Sequence, residues 1–499
     1  MYYQQNTNEA DETYSVKLKK KFPKDKALQH FDDFYTNVYG DKWPSIRIAL
    51  LSPHKYCALI NNFGDTEQIM THLENQGALN IKTLFELEER NIKEQKNAET
   101  RKEDLEKIYK LDQKMEQLMI SKQHEEVESV YPQHEGVSKD GPNKLEPSLA
   151  SRADEDFPPA LPSEGRHAAS LQSSLESAEY DTHRLIDPTV GLSASALYEF
   201  VPASKLKGME DFVLESQHYA YYKKDTDFPV HVEKQQKLNF PDHLHVLTFE
   251  RGNVSYFPSP RRASTGVFNY FLLDGGSLLP VLALDLQPGD KVLDMCAAPG
   301  GKSLMMLQTL YPDILVCNDV LESRVKRIHS VMQQFLYDPD KWEDRLKVTQ
   351  KDGRDIDERN VYNKILVDVP CTTDRHSLHE NDNNIFKPTR TKERLKLPET
   401  QAELLSNALK LVSPGGTVVY STCSLSPIQN DGVVHMALRQ VWQETNIEVA
   451  IIDLSPALQS VQSVFRLGRD IGLKYGHLIL PFLPANFGPM YFCKIVRTK

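Results

Sequence analysis

The sequence has few cysteines and lacks any long apolar run. Its 499 residues include six cysteines, and no two of them form a CxxC pair. Six scattered thiols exclude a disulfide framework or a zinc cage and indicate a reducing compartment. The longest apolar candidate, 278–286, is interrupted by Pro280 and Asp285 and is far shorter than the roughly 20 residues of a membrane helix. We therefore expect neither a metal site nor a membrane span.

The sequence also lacks a net positive charge, but this does not exclude a nucleic-acid partner. The net charge is −11, and residues 91–187 alone hold 13 Lys and Arg against 21 Asp and Glu. The rest of the chain has 46 basic and 49 acidic residues. A nearly neutral body can still attract phosphate through a local basic face. The basic runs at 259–263 and 387–396 are either solvated faces or contacts for a nucleic-acid backbone.

The first residues lack both an apolar signal region and the basic, acid-poor helix of a transit peptide. They read MYYQQNTNEADETY and are followed by a basic run over residues 17–26. The beginning of the sequence therefore predicts no targeting segment, and the basic run is expected to be solvated.

Composition divides the chain into five predicted segments. Residues 81–129 have apolar residues at helical spacing and no Pro or Gly, which predicts a solvated helix or a short coiled coil. Residues 131–187 are rich in Ser, Pro, Glu and Asp, which is typical of a flexible or disordered insertion. The five segments are a flexible amino terminus (1–26), an N-terminal folded region (27–90), a charged helix with an acidic insertion (91–196), a second folded region (197–290) and an α/β domain (291–499).

Residues 291–499 alternate short strands with helices, which predicts a doubly wound, mostly parallel α/β sheet. The predicted strands are 291–296, 314–319, 346–352, 364–370 and 416–424. The last two apolar runs, HLILPF and GPMYFCKIVR, predict an antiparallel hairpin that closes the sheet at its edge.

The first predicted strand leads into the loop DMCAAPGGK. Gly300 and Gly301 allow a tight strand-to-helix turn and a close approach of a ligand. The spacing is not GxGxxG, and Cys296 stands where a Walker loop has its first glycine. The loop therefore disfavours NAD and nucleoside triphosphates.

Carboxylates end the second and third predicted strands, at the sheet edge where ligands of such folds bind. Asp319 is placed to accept hydrogen bonds from ribose hydroxyls, and Asp352, followed by Gly353, from an adenine amino group. Either residue alone is more typical of a helix cap or a turn. Their succession favours a bound adenosine. Arg324 either faces this ligand or forms a surface ion pair.

Two cysteines follow the fourth and fifth predicted strands, in the motifs DVPC and STCS. Because adjacent parallel strands end at the same edge, Cys371 and Cys423 are expected to lie over one cleft. A thiolate there is a candidate nucleophile, and Asp368 is a candidate hydrogen-bond partner for the substrate. The other four cysteines are interpreted as small buried apolar residues.

The motifs DMCAAPGGK, DVPC and YSTCSL together resemble those of the Nol/Nop/Sun family of RNA cytosine-5 methyltransferases. The resemblance implies a Rossmann-like class I methyltransferase fold, with residues 197–290 as an RNA-binding part and 291–499 as the catalytic domain. It implies that S-adenosylmethionine is bound by Gly300, Gly301, Lys302, Asp319, Arg324, Asp352, Gly353 and Asp368. Roles for Lys302 in the turn or on an RNA phosphate stay open.

The resemblance also assigns roles to the cysteines. In that family the Thr-Cys cysteine attacks the base and the Pro-Cys cysteine assists release, so Cys423 and Cys371 take these roles, with Asp368 beside them. Thiolate attack on carbon 6 of cytosine makes carbon 5 an enamine carbon that accepts a methyl group, and a base then removes the carbon 5 proton. DNA cytosine methyltransferases attack from the Pro-Cys position, so STCS favours RNA. The target base must leave its stack to react.

Further stretches resemble the mitochondrial branch of the family, which modifies small-subunit ribosomal RNA. They are FDDFYTNVYGDKWPSIRIALLS, GVFNYFLLDGGSLLPVLALDLQPGD, PCTTDRHSLHENDNNIF and PANFGPMYFCK. The resemblance covers residues 27–80 and 197–499. It implies mitochondrial localisation, a role in mitoribosome assembly and a heterodimer with a helical-repeat protein of the mitochondrial transcription-termination-factor family. Two alternatives stay open: a structural ribosome-assembly subunit with dispensable methylation, and a transfer-RNA cytosine-5 methyltransferase.

Overall fold

The computed structural model describes residues 22–130, 228–468 and 471–499. These residues fall into two compact units. The first unit holds the described residues up to Lys93 and those from 228 onward, and the second begins at Glu94. The predicted acidic insertion from 131 onward, and most of the predicted flexible amino terminus, lie outside the described residues.

The strands and helices of the described ranges follow in chain order. The strands are β1 (Tyr56–Ile60), β2 (Ala78–Asn80), β3 (His231–Lys234), β4 (Val246–Phe249), β5 (Tyr270–Asp274), β6 (Lys291–Asp294), β7 (Ile314–Asn318), β8 (Leu346–Thr349), β9 (Tyr362–Asp368), β10 (Val412–Thr422), β11 (Val449–Asp453), β12 (His477–Ile479) and β13 (Met490–Arg497). The helices are α1 (Pro23–Tyr39), α2 (Trp43–Leu51), α3 (Thr66–Asn75), α4 (Ile81–Val130), α5 (Leu278–Ala283), α6 (Gly301–Gln308), α7 (Glu322–Phe335), α8 (Asp374–His379), α9 (Thr391–Leu411) and α10 (Asp431–Glu444).

The larger sheet confirms the predicted doubly wound architecture. Its strand order is β3-β11-β13-β10-β9-β6-β7-β8, with β12 beside β13. Strands β6 to β10 pair in parallel with one another, and helices connect most of them. All five strands predicted between 291 and 424 are present. Their carboxyl ends lie along one border of the sheet, which we call the carboxyl edge.

The central strand β9 shows why this sheet is buried on both faces. Ile365 and Val367 pack into a core that also contains Leu405 of α9. Leu366, which points the other way, packs into a second core with Leu304 of α6. A strand covered on both sides needs apolar residues at successive positions, and residues 365–367 supply them without alternation. The sheet is therefore covered by helices on both faces.

The predicted carboxy-terminal hairpin is present, but its predicted position at the sheet edge is wrong. β12 pairs with β13 in antiparallel register. β13 lies between β10 and β11, with antiparallel pairing to both. The last strand is completely flanked because β11 and β3 add to the sheet beyond it. These pairings join residues distant in sequence, so local patterns do not reveal them.

A smaller antiparallel sheet combines two segments that the sequence analysis treats separately. Its order is β2-β4-β1-β5, so β1 of the 27–90 segment lies between two strands of the 197–290 segment. β3, also from the 197–290 segment, instead pairs with β11 of the larger sheet. The 27–90 and 197–290 segments therefore contribute to one sheet.

Helix α4 confirms the charged helix predicted over 81–129. In the part that belongs to the second unit, the large apolar side chains between 105 and 120 are more than half exposed. Across the described residues, no helix is both long enough and apolar enough to cross a membrane.

Candidate active site

The loop after β6 turns tightly into α6. Gly300 has φ +107°, a left-handed conformation that residues with a Cβ rarely adopt. Gly301 begins α6, and a Cβ there would lie 3.1 Å from the ring of Phe271. Both glycines are therefore required by the geometry that brings backbone close to the carboxyl edge.

Asp319 lies at the carboxyl edge after β7 and is almost fully buried. Its carboxylate forms an ion pair with Arg324 at 3.3 Å and accepts a hydrogen bond from the backbone N–H of Leu321 at 3.2 Å. The Arg324 guanidinium also donates to the carbonyl of Ala298 at 3.0 Å. Arg324 thus forms an ion pair, as one alternative predicted, and this pair lies beside the loop after β6.

Asp352 and Gly353 follow β8. The Arg354 guanidinium hydrogen-bonds the Asp352 carboxylate and lowers its pKa. A Cβ on Gly353 would lie 2.7 Å from Leu404 and 2.8 Å from Met295, so only glycine fits. At the predicted adenine contact, Gly353 therefore packs closely against its neighbours, and the Asp352 carboxylate is paired with Arg354.

Asp294, the last residue of β6, is a site residue that the sequence analysis passes over. One carboxylate oxygen accepts a hydrogen bond from the Ser303 hydroxyl at 2.6 Å, and the other is buried without a partner among the described residues. Burial raises the pKa of Asp294 to about 7, although the Ser303 bond opposes the rise. The signal that marks Asp319, a carboxylate at a strand end, also marks Asp294.

The carboxylates along this edge suit S-adenosylmethionine, which carries a sulfonium and an ammonium cation and a ribose. Opposite charge and hydrogen-bond acceptors at close range favour such a ligand. One carboxylate oxygen of Asp294 has no hydrogen-bond donor among the described residues, and an ammonium group could donate to it.

Cys371 and Cys423 are brought together, as predicted from the ends of β9 and β10. Their sulfur atoms are 3.1 Å apart, and both thiols are reduced. The hydrogen bond from Cys423 lowers the pKa of Cys371, whereas the same bond and burial raise the pKa of Cys423. The ionisation of one thiol therefore depends on the protonation of the other. We call these residues the thiol pair.

Asp368 and Lys302 lie beside the thiol pair. The Lys302 ammonium contacts one carboxylate oxygen of Asp368 at 2.7 Å, and the Ser421 hydroxyl donates to the other at 2.8 Å. Burial would lower the pKa of Lys302, but the Asp368 charge outweighs it and the pKa is raised. Lys302 is thus a permanent cation in the site rather than a residue of the turn alone.

A cleft of about 590 Å³ opens over the thiol pair. Cys423 and Lys302 line it together with His54, Arg375 and His379. Burial lowers the pKa of His54, so the neutral imidazole predominates at pH 7. Arg375 and His379 follow Cys371 in the stretch PCTTDRHSLHENDNNIF, whereas His54 joins them only through the tertiary fold.

Arg375 holds the walls of this cleft together. Its guanidinium donates to the carbonyls of Ala49 in α2 and Ser52 after it, to the carbonyl of Gly488 and to the side-chain oxygen of Asn486. One partly buried cation thereby joins the amino-terminal helices to the loop before β13.

Several cations of the two predicted basic runs have intramolecular partners. Arg390 forms an ion pair with Glu393 at 2.6 Å, and Arg394 lies over the ring of Phe386. Arg262 donates to the carbonyl of Gly266 at 2.6 Å. These side chains contribute to local structure, whatever else they bind. Among the residues the structure describes, no group of three or more His, Cys, Asp or Glu side chains could hold a metal ion.

The strand order, the carboxylates of the carboxyl edge and the adjacent cleft define a class I S-adenosylmethionine-dependent methyltransferase. The family profile described as 16S rRNA methyltransferase RsmB/F matches residues 281–470. The 5-cytosine rRNA methyltransferase nsun-4 of Caenorhabditis elegans is 36% identical over 484 residues, which cover 96% of this chain and 93% of the relative. The 5-cytosine rRNA methyltransferase NSUN4 of Xenopus tropicalis is 35% identical, with 95% and 90% covered.

A more distant relative matches only part of the chain. The mitochondrial tRNA (cytosine(34)-C(5))-methyltransferase of Mus musculus is 35% identical over 242 residues, which cover 48% of this chain and 67% of the relative. The chain belongs to the RsmB/F family, also known as the NOL1/NOP2/Sun family, of S-adenosylmethionine-dependent RNA cytosine-5 methyltransferases.

Proposed function

We propose that this chain methylates carbon 5 of a cytosine in mitochondrial small-subunit ribosomal RNA, with Cys423 as the nucleophile. The observation that carries the assignment of the site is the thiol pair, with sulfur atoms 3.1 Å apart beside the Lys302–Asp368 ion pair. Ribosomal RNA is favoured over transfer RNA because relatives named for ribosomal RNA match 95–96% of the chain, whereas the transfer-RNA enzyme matches 48%.

In this proposal the two thiols act in different steps of one reaction. Cys423 loses its proton to solvent, and its thiolate forms a bond to carbon 6 of the cytosine, which turns carbon 5 into a nucleophile. Bound S-adenosylmethionine supplies the methyl group that carbon 5 takes up. Loss of the carbon 5 proton to a base then breaks the bond between carbon 6 and Cys423, and Cys371 assists this release.

Asp368 and Lys302 stabilise the charge that develops on the base. Asp368 faces the N3–N4 edge of the cytosine, where a carboxylate holds the added proton or accepts a hydrogen bond. Lys302 holds the Asp368 carboxylate in place through their ion pair and supports the Cys423 thiolate through its positive charge. Both residues therefore act on the substrate, in addition to any contact with the cofactor.

The remaining predicted cofactor ligands divide between backbone and side chains. In the proposal Gly300 and Gly301 let the backbone approach the cofactor, and Asp319, held by Arg324, accepts hydrogen bonds from its ribose. Asp352 and Gly353 frame the adenine. Asp294 joins the set as an acceptor for the cofactor ammonium group.

We also propose that the 27–90 and 197–290 segments act together as the RNA-binding part. Their shared sheet supports this, since His54 after α2 and Asp274 at the end of β5 both line the cleft. The proposal includes mitochondrial localisation and a helical-repeat partner of the mitochondrial transcription-termination-factor family. A role in assembly of the mitoribosome follows from that substrate.

The test is a Cys371→Ala variant expressed in cells, because blocked release should trap the covalent RNA adduct. Sequencing of the trapped RNA should return small-subunit ribosomal RNA, and native purification should recover a helical-repeat protein. The Cys423→Ala variant is the control and should trap no RNA. Adducts confined to transfer RNA would refute the proposed substrate, and recovery of the variant without any protein partner would refute the heterodimer.

A further inference from the structure

A buried carboxylate lies behind the thiol pair, and the proposed reaction does not use it. Asp374 is the first residue of α8 and its side chain is inaccessible to solvent. Its oxygens accept four hydrogen bonds, from the Tyr35 hydroxyl at 2.7 Å, the Leu425 backbone N–H at 2.7 Å, the Ser424 hydroxyl at 3.1 Å and the Thr372 hydroxyl at 2.5 Å. Four hydrogen bonds hold this buried carboxylate in one position.

These donors come from both loops that carry the thiols. Thr372 directly follows Cys371, and Ser424 directly follows Cys423. The Thr372 and Ser424 hydroxyl oxygens are 2.8 Å apart, and the backbone N–H of Asp374 donates to the carbonyl of Cys423 at 3.3 Å. Asp374 therefore joins the two loops at the residues next to the reactive sulfur atoms.

The remaining donor belongs to the amino-terminal helix α1, 339 residues away in sequence. Tyr35 is buried, and its ring packs against Phe31 and Trp43 with centroids 5.1 and 5.2 Å away. One turn later, the Tyr39 hydroxyl donates to the carbonyl of Leu425 at 2.6 Å. The helix thus holds the loop after β10 at two points.

We propose that Asp374 and Tyr35 are positioning residues that set the separation of the two sulfur atoms. The inference rests on the proposed function, because it assumes that the thiol pair reacts. Charge coupling between the thiols depends on their 3.1 Å spacing. A displacement of about 1 Å in an active site can cost on the order of 100-fold in rate. Helix α1 is therefore part of what makes the thiols reactive.

The first test variant is Tyr35→Phe, which keeps the ring and removes only the donor to Asp374. We expect kcat for RNA methylation to fall about tenfold or more, while KM for S-adenosylmethionine stays unchanged because the carboxylates at the ends of β6, β7 and β8 are untouched. Alkylation of the two thiols by iodoacetamide should show a shifted pH profile, since their coupling changes.

Asp374→Asn is the second variant. The Tyr35→Phe and Asp374→Asn substitutions are then combined in a double variant. Because both residues act through the same hydrogen bond, the double variant should lose little more kcat than the more impaired single variant. Losses that multiply fully would overturn the inference that the two residues act as one unit.

Tyr362→Phe is the matched control. Tyr362 begins β9, at the opposite end of the strand from Asp368, and its hydroxyl donates to the Glu358 carboxylate at 2.5 Å. This variant loses the same kind of bond and should lose thermal stability but keep kcat and the alkylation profile. If Tyr35→Phe behaves like Tyr362→Phe, the positioning role is wrong. Methyl transfer retained by Cys423→Ala would instead refute the proposed nucleophile, so the two failures are distinguishable.

Discussion

At the scale of residues, the four strand-end aspartates differ in their partners. Asp319, Asp352 and Asp368 each face a basic side chain within 3.3 Å. Asp294 has a serine hydroxyl and one free oxygen among the described residues. A cationic ligand gains most from the carboxylate that has no cation already. Asp294 is therefore the residue of this edge that we expect to respond most to the cofactor.

Gly353→Ala should weaken both folding and cofactor binding. The added Cβ would lie 2.7 Å from Leu404 and 2.8 Å from Met295, so neighbouring groups must move. Overpacking of this kind typically costs about 1–3 kcal/mol. Because Gly353 follows Asp352, we expect a lower affinity for S-adenosylmethionine by calorimetry and a lower midpoint of thermal unfolding.

Gly415→Ala separates these two effects. Gly415 has φ +79° with open space around its Cβ position, so the substitution introduces strain of about 1–2 kcal/mol without a clash. It lies in β10 before Thr417, far along the strand from Cys423. Cofactor affinity should stay at the wild-type level; an equal loss of affinity in both variants would contradict a local role for Gly353.

At the scale of elements, the sequence pattern was sufficient to predict the five parallel strands of the larger sheet. The central ILV of KILVDVP is apolar at three successive positions, which is typical of strands buried on both faces. The ends of β9 and β10 placed Cys371 and Cys423 together, and the structure brings their sulfur atoms to 3.1 Å.

Other elements could not be predicted because they depend on contacts remote in sequence. The position of β13 between β10 and β11 follows from pairings that local periodicity does not encode. The cleft residue His54 meets the thiols only once α2 has been joined to the loop before β13. The residues that form a strand can be predicted from the local sequence, whereas the order of the strands in the sheet cannot.

The hairpin of β12 and β13 contains a group whose pKa makes folding sensitive to acid. Burial lowers the pKa of His477 to about 4, although Asp453 at 3.9 Å opposes the shift. The neutral ring accepts a hydrogen bond from the Leu454 backbone N–H at 3.0 Å. The unfolded chain has a pKa near 6.5 for this group, so the folded state loses stability as the pH falls from about 6.5 towards 4.

His477→Gln should therefore flatten the dependence of stability on pH in that window. The full effect on the free energy of unfolding is up to roughly 3 kcal/mol, because one unit of pKa difference between the folded and unfolded states corresponds to about 1.4 kcal/mol. Urea unfolding of wild type and variant at pH 7, 6 and 5 measures it. Parallel curves for the two proteins would show that His477 is not responsible.

At the scale of the whole molecule, the described residues form two units of unequal character. The first unit contains both sheets, the carboxyl edge and the cleft. The second unit begins at Glu94, and the apolar side chains of its helical part are largely exposed. Few buried apolar contacts mean little contribution to global stability.

Deletion of residues 94–196 should therefore leave methylation and thermal stability close to those of the full chain. The ends can be rejoined, because the residues between 197 and 228 can span up to roughly 100 Å when extended. Deletion of residues 22–51 is the contrasting control, since it removes Tyr35 and the Ala49 carbonyl that Arg375 binds. A large loss of stability on deleting 94–196 would contradict this division of the molecule.

Peptide mapping of the RNA adduct trapped by Cys371→Ala tests most directly whether Cys423 is the attacking thiol. After nuclease and protease digestion, mass spectrometry should find a cytidine nucleotide bound to the peptide that contains Cys423, and Cys423→Ala should neither form the adduct nor methylate RNA. An adduct on another residue, or methyl transfer by Cys423→Ala, would contradict the mechanism.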